Sequence, residues 1–327
     1  MPVVNGTVTS QYPQVVALMA DYGSEGIVIF CSGTLIASKW VVTAAHCVRA
    51  ITDAPSAGGL NDADGFYVVF GTDIYNSEWL DYIKVSRYIQ HPDYDDKTLR
   101  NDIGLLNLTS AASYTPIGVN ETSVAGWGAK NLTYVGFGTT GDGRDEDPIK
   151  RFGVVPFEGY DEYFIYGYSG STNICQGDSG GPCFETAGTR LTLAGVNSFV
   201  FSPDGDSTPC VGGGSGATRV DRYLSWMNSN GVDYTLGGTD PGSTETNVNV
   251  DVDVEADADG DADGDVDSLW DEPDRPPEGA YQGRLLGGCA TVSGHKFGSM
   301  ALAGLALLGI VRRGRVRAWC VSSPKEV

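Results

Sequence analysis

"CQGDSGGPCF", residues 175–184, sets one serine, Ser179, between Asp178 and the pair Gly180-Gly181. Gly177 stands before the acid, and Cys175 and Cys183 flank the run. Glycine loses more conformational entropy than other residues in helix or strand, so such a run belongs where backbone turns tightly or approaches something closely. Most Gly-Asp-Ser-Gly runs are surface turns. The alternative is a nucleophile on a rigid turn, with bare backbone N–H groups aimed at a substrate oxygen. The rest of the chain decides between them.

The chain has 327 residues with 41% hydrophobic content, enough for one large or two ordinary domains plus tails. It holds 45 glycines and only 21 Lys and Arg, a balance that favours turns over long helices. Its formal charge of −21 is unevenly spread. Residues 1–237 hold 26 acids and 13 bases, residues 238–278 hold 15 acids and one Arg, and residues 279–327 hold one acid and seven bases. Nucleic acid is not an expected partner, because phosphate contacts need a basic face. The seven cysteines form no C-x-x-C pair and the three histidines are far apart, so no metal site is expected. Spread cysteines point to disulfides and an oxidising compartment, with an odd one left over. No basic n-region or apolar h-region is visible at the opening MPVVNG.

Short apolar, β-branched and aromatic runs recur through residues 1–237: Val15–Met19, Ile27–Phe30, Trp40–Thr43, Phe66–Phe70, Ile103–Leu108 and Leu191–Val196. Gly, Asp, Asn and Pro punctuate them, which predicts an all-β antiparallel sandwich or barrel. One helix is predicted in TRVDRYLSWMNSNG, with Val220, Tyr223, Leu224 and Met227 on one face and Gly231 as its cap.

Residues 238–288 form an acidic Asp/Gly/Pro-rich segment with alternating like charges and little apolar surface, read as a disordered spacer. Asp257, Asp259, Asp261, Asp263 and Asp265 loosely resemble a calcium loop but lack its distal bidentate acid, so no cofactor is expected beyond a weak possibility of Ca2+ there. Residues 289–327 hold Cys289, an apolar stretch Phe297–Val311 and an arginine cluster. As a helix that stretch would span about 22 Å, short of a ~30 Å hydrocarbon core.

A serine hydroxyl needs a base to take its proton. His46, in VVTAAHCV, is the candidate base. Asp102, in RNDIGLLNL, stands at the mouth of an apolar strand, where a carboxylate must be paired. Orienting a histidine ring would pair it. Each residue alone is ordinary; the set His46, Asp102, Ser179 in that order points to nucleophilic catalysis.

TAAHC, NDIGLL and GDSGGP together resemble the three signatures of the trypsin-like serine proteases, the chymotrypsin family. IQHPDYDDKTLRNDIGLL, VAGWG and the final YLSWM also match in type and order, over about residues 3–231. The resemblance implies two six-stranded antiparallel β-barrels and a C-terminal helix, with the site in the cleft between barrels. It implies a serine endopeptidase acting on protein or peptide substrates as a monomer. His46, Asp102 and Ser179 would be catalytic, and the N–H groups of Gly177 and Ser179 would form the oxyanion hole. Cys31 would pair with Cys47, and Cys175 with Cys210. Cys183 has no family partner and stays open: a buried thiol, or a competitor for Cys210. VVNG at residues 3–6 resembles the family's mature start, so Val3 and Asp178 would form the activation pair once Val3 carries a free amine.

The specificity pocket would use Asn173 at its base and Ser198, Phe199 and Val200 along its wall. Asn173 carries no charge, and Val200 stands where a glycine usually keeps the pocket open. Cleavage after small or medium uncharged residues follows. The tail resembles bacterial sorting tags of the myxobacterial type, with glycine-rich rhombosortase-type tags as a close alternative. Cys289 would be the processed residue, a sorting protease a further partner, and the location extracellular or anchored at a bacterial surface. Two other classes are a non-catalytic protease homologue and a calcium-dependent surface-binding protein.

Overall fold

Residues 3–76, 81–144, 146–187, 190–203 and 209–237 are described by a computed structural model. The short β-branched and aromatic runs become strands, and every pairing between these strands is antiparallel. In chain order they are β1 Thr7–Val8, β2 Val15–Asp21, β3 Ile27–Ala37 and β4 Trp40–Thr43, then helix α1 Ala45–Thr52. β5 Gly65–Phe70, β6 Asp81–Gln90 and β7 Gly104–Leu108 follow. After a long crossing come β8 Asn131–Gly136, β9 Arg151–Tyr160, β10 Phe164–Tyr168, β11 Pro182–Ala187, β12 Arg190–Phe201, β13 Gly214–Arg219 and helix α2 Leu224–Ser229.

The first barrel closes in the order β2-β3-β4-β7-β6-β5. The second runs β9-β10-β13-β12-β11-β8 and closes because β8 also pairs with β9; β1 adds to β9 at its margin. Closure removes the unpaired edges that an open sheet would present. These are the two six-stranded barrels that the sequence implies.

Each barrel is filled from its strands' inward faces. Val16, Leu18, Leu35, Val42, Val68 and Leu105 are buried in the first; Leu132, Tyr134, Val155, Ile165, Ala194 and Ala217 are buried in the second. Burying a Val, Leu or Ile side chain contributes about 2 kcal/mol. Val135, Phe137, Phe184 and Val196 of the second barrel join the first barrel's core, so apolar packing crosses the seam. The barrels are thereby fixed against each other where the site lies.

One reading needs correction. The final helix is shorter than its apolar spacing suggests: Val220 and Tyr223 form a turn ahead of α2, with Tyr223 N donating to Val220 O, and Gly231 follows the helix at φ +82°. VAGWG, residues 124–128, forms a turn before β8. A second glycine–aromatic–glycine run, Gly136-Phe137-Gly138, lies beside Asp178. The acidic spacer, the aspartates at 257–265, Cys289 and Phe297–Val311 lie outside the described residues. No helix among the described residues is long and apolar enough to cross a membrane.

Candidate active site

His46 is the second residue of α1, which starts as soon as β4 ends. Its neighbour Cys47 is disulfide-bonded to Cys31 on β3, with an S–S distance of 1.97 Å. Closing a loop of this length is worth about 3 kcal/mol in the chain-entropy model. The bond ties the start of α1 to the barrel wall, so the histidine cannot drift. Asp102, fully buried, precedes β7. Its Oδ2 accepts from His46 Nδ1 at 2.8 Å and its Oδ1 from the His46 backbone N–H at 2.9 Å. Ser198 Oγ donates to Oδ2 at 2.5 Å. Three donors thus compensate a carboxylate that would be costly to bury alone. Because Nδ1 donates to Asp102, neutral His46 keeps its lone pair on Nε2, the atom that can take a proton. Burial pulls the His46 pKa down, but the charge and hydrogen bond of Asp102 together hold it above its ordinary value.

The backbone around Ser179 can be accounted for group by group. Gln176 O accepts from Thr139 N at 2.7 Å, and Gly177 O from Ser32 Oγ at 2.8 Å. Asp178 O accepts from Gly181 N at 3.0 Å and Asn197 Nδ2 at 3.2 Å, and Ser179 O from Ser32 N at 2.8 Å. Asp178 N donates to Cys175 O and Gly180 N to Asn197 O. Among the described residues the N–H groups of Gly177 and Ser179 have no acceptor. Gly177 and Ser179 are only half-buried, so both N–H groups are open to an external oxygen. Cys47 Sγ lies 3.7 Å from Ser179 O, which sets this loop beside the residue that follows His46.

Gly177 has φ +93°, and a Cβ there would lie 2.8 Å from Gly138 Cα. Both facts demand glycine, so the restriction is already present without any substrate. Gly180, at φ +79°, is packed as tightly: a Cβ would meet Thr43 Oγ1 at 2.1 Å.

Asp178 points into the protein and is fully buried. Gly138 N donates to its Oδ1 at 2.8 Å, and Cys175 N and Val3 N donate to its Oδ2 at 2.9 and 3.2 Å. Burial raises its pKa to about 6, against the lowering effect of these three N–H groups. Val3 is itself fully buried, and Val4 N donates to Asn173 O at 2.7 Å, so the start of the described chain is stitched into this pocket.

Asn173 is buried, and its Nδ2 donates to Cys210 O at 3.1 Å and Gly214 O at 3.2 Å. Its Oδ1 has no partner among the described residues. The Cys175–Cys210 disulfide closes this region. Val200 is half-buried and pairs with Ser215 across β12 and β13, while the Phe199 ring packs against Phe164 at 5.0 Å between centroids. Ser198, read from the sequence as pocket wall, also gives its hydroxyl to Asp102. Cys183 is a buried free thiol, and burial pushes its pKa up to about 12, leaving it inert. A groove lined in part by Ile29, Phe30, Phe137, Gln176 and Gly177 borders the loop.

Two antiparallel barrels with a histidine–aspartate pair on one and a serine turn with two open N–H groups on the other define a serine protease fold of the trypsin type. A family model described as Trypsin matches residues 3–227. Trypsin Blo t 3 of Blomia tropicalis is 28% identical over 226 residues, 62% of this chain and 77% of its own. Chymotrypsin-like elastase family member 1 of Bos taurus is 30% identical over 253 residues, 69% of this chain and 88% of its own. Inactive CLIP domain-containing serine protease A28 of Anopheles gambiae is 30% identical over 252 residues, 69% of this chain and 63% of its own. The chain belongs to the trypsin-like serine protease family.

Proposed function

We propose that this protease hydrolyses peptide bonds through an acyl-enzyme, with Ser179 as nucleophile, His46 as general base and then acid, and Asp102 as the group that orients and charges the ring. The roles are those of the family's template, carried over residue by residue. The observation that carries the reading is the pair of open N–H groups at Gly177 and Ser179. They would receive the negative oxygen that develops when Ser179 Oγ adds to the scissile carbonyl. A fluorophosphonate probe tests it: labelling should map to Ser179 and disappear in Ser179→Ala. A folded wild-type protein that takes no label would instead support the non-catalytic homologue.

The substrate class follows from the pocket. Asn173 spends both amide donors on main-chain carbonyls and offers no charge to a buried arginine or lysine. Val200 narrows the entrance from β12. Cleavage after Ala, Val or similar uncharged residues is expected. Digestion of a peptide library with product sequencing checks it; dominant cleavage after Arg would overturn the role given to Asn173.

Activation turns on the Val3 nitrogen. As an amide it gives Asp178 a hydrogen bond but no charge. A carboxyl raised from 3.8 to about 6 costs stability at every pH where it is ionised, on the order of 3 kcal/mol at neutral pH. A free ammonium at Val3 would offset that cost and hold Asp178 inward. Protein processed to begin at Val3 should therefore turn over substrate at least about tenfold faster than protein that keeps Met1 and Pro2, which corresponds to about 1.4 kcal/mol of barrier. The processed form alone should also lose activity at alkaline pH. An α-amine titrates near pH 8, and pairing with Asp178 moves it higher. Equal rates and identical alkaline limbs would show that the loop is ordered without the amine. Proposals for the segments beyond residue 237 remain those of the sequence: an acidic stalk and a sorting tail ending at an extracellular or bacterial surface location.

A further inference from the structure

We infer that Ser32 is a positioning residue for the oxyanion hole: from the first barrel, its hydroxyl and amide pin the main chain on both sides of Asp178, and so aim the N–H groups of Gly177 and Ser179. The inference rests on the proposed role of those two N–H groups.

Ser32 lies on β3, next to the disulfide-bonded Cys31, and is fully buried. It makes four hydrogen bonds, three of them across the seam between the barrels. Its Oγ donates to Gly177 O at 2.8 Å and accepts from Phe137 N at 3.1 Å. Its N donates to Ser179 O at 2.8 Å. Its own O accepts from Thr43 Oγ1 at 2.9 Å, which holds the residue to β4. A serine hydroxyl has one proton to give, and here it goes to Gly177 O.

The consequence is geometric. Two peptide planes meet at the Gly177 Cα. The first, between Gln176 and Gly177, carries the N–H of the hole, and its carbonyl is held by Thr139 N. The second, between Gly177 and Asp178, is held by Asp178 N on Cys175 O and by Ser32 Oγ on Gly177 O. Glycine offers little torsional resistance of its own and tolerates the φ of +93° seen here. The direction of the Gly177 N–H is therefore set by what grips the neighbouring planes. The same residue grips the plane after Ser179. Phe137, whose N–H the hydroxyl accepts, precedes Gly138, the donor to Asp178 Oδ1. Ser32 thus connects the strand that holds Asp178, the loop that carries the hole and the wall that carries Cys31 and hence His46. Without its hydroxyl, Gly177 O would lose this donor and the buried Phe137 N would lose its acceptor.

A fixed hydrogen-bond donor to a developing oxyanion acts on the transition state and little on the bound substrate. Ser32→Ala should lower kcat at least about tenfold with KM within about twofold, the pattern of an interaction made only in the transition state. A peptide boronic acid, whose tetrahedral adduct with Ser179 puts an oxygen in the hole, should lose affinity by the same factor. The same peptide with its scissile carbonyl reduced to methylene has no such oxygen and should bind unchanged. The acid limb of the pH profile, set by His46, should stay in place. Ser32→Thr, which keeps the hydroxyl, should recover most of the rate. If Ser32→Ala does not accumulate folded, Ser32→Cys, which keeps the side chain's shape with a much weaker donor, carries the same comparison. Equal loss for boronate and reduced peptide would mean general structural damage and overturn the inference. So would a kcat equal to wild type. Failure of wild-type protein to bind the boronate at all would instead count against the proposed active site.

Discussion

Ser179→Ala is expected to lower turnover of a good peptide substrate by about a millionfold, while thermal unfolding stays where it is in the wild type. The size follows from what the substitution removes. Without Oγ no acyl-enzyme can form, and His46 has no hydroxyl to activate. The open N–H groups and the substrate cleft remain, so a residual rate of about 10³ to 10⁴ over water should survive. Stability should not change, because the fixed parts of this residue are main chain. Ser179 O is held by Ser32 N, and the next N–H by Asn197 O. Alanine keeps both, and the side chain is half-buried at a cleft surface, not in the core. His46→Ala should match the loss in rate. The measurement is kcat on purified variants beside a melting curve. A Ser179→Ala protein that keeps even a tenth of wild-type turnover would show that the nucleophile lies elsewhere. A variant that melts far lower would make its loss of activity uninformative about chemistry.

The frame of the molecule and the chemistry of its site were legible at different depths. Trp40–Thr43 reads as a strand and is one, residue for residue, because a short aromatic and β-branched run after Ser38-Lys39 carries no helical period. The eight-residue α1 behind it was not read, since Ala45–Thr52 includes β-branched residues and lacks a capping side chain. Its start is set by β4 and by the Cys31–Cys47 bond, not by local preference. The two disulfides were legible only through the resemblance, since seven cysteines allow many pairings. Two glycine–aromatic–glycine runs lie ten residues apart, at 126–128 and 136–138. Only the position of the Asp178 carboxylate shows which one borders the site. Ser198 and Ser32 were hidden for a related reason. The first meets its partner 96 residues away and the second 145. A lone serine in a strand carries no local mark of such a role.

Asp102→Asn should lower kcat about ten-thousandfold and should also move the acid limb of the pH profile. Both effects come from the same three hydrogen bonds. Asp102 is an acceptor only, and three donors converge on it: His46 Nδ1, His46 N and Ser198 Oγ. An asparagine of the same shape has one oxygen and one NH2 group. Whichever way it turns, an N–H faces a donor. If the NH2 faces the ring, Nδ1 must become the acceptor, the proton moves to Nε2, and the base has no lone pair for Ser179. The loss of charge has a separate signature. Burial lowers the His46 pKa, while the charge and hydrogen bond of Asp102 raise it. Asparagine removes the raising contributions and leaves the burial, so the pKa of His46 must fall. The neutral ring is the active form, so wild-type activity should rise with pH through a midpoint above about 6.5, the ordinary histidine value. In Asp102→Asn the residual activity should rise through a midpoint at lower pH. The check is kcat/KM against pH for both proteins. A variant whose acid limb stays fixed, or shifts to higher pH, would show that the buried carboxylate does not set the charge of the ring, and the division of roles between His46 and Asp102 would have to be redrawn.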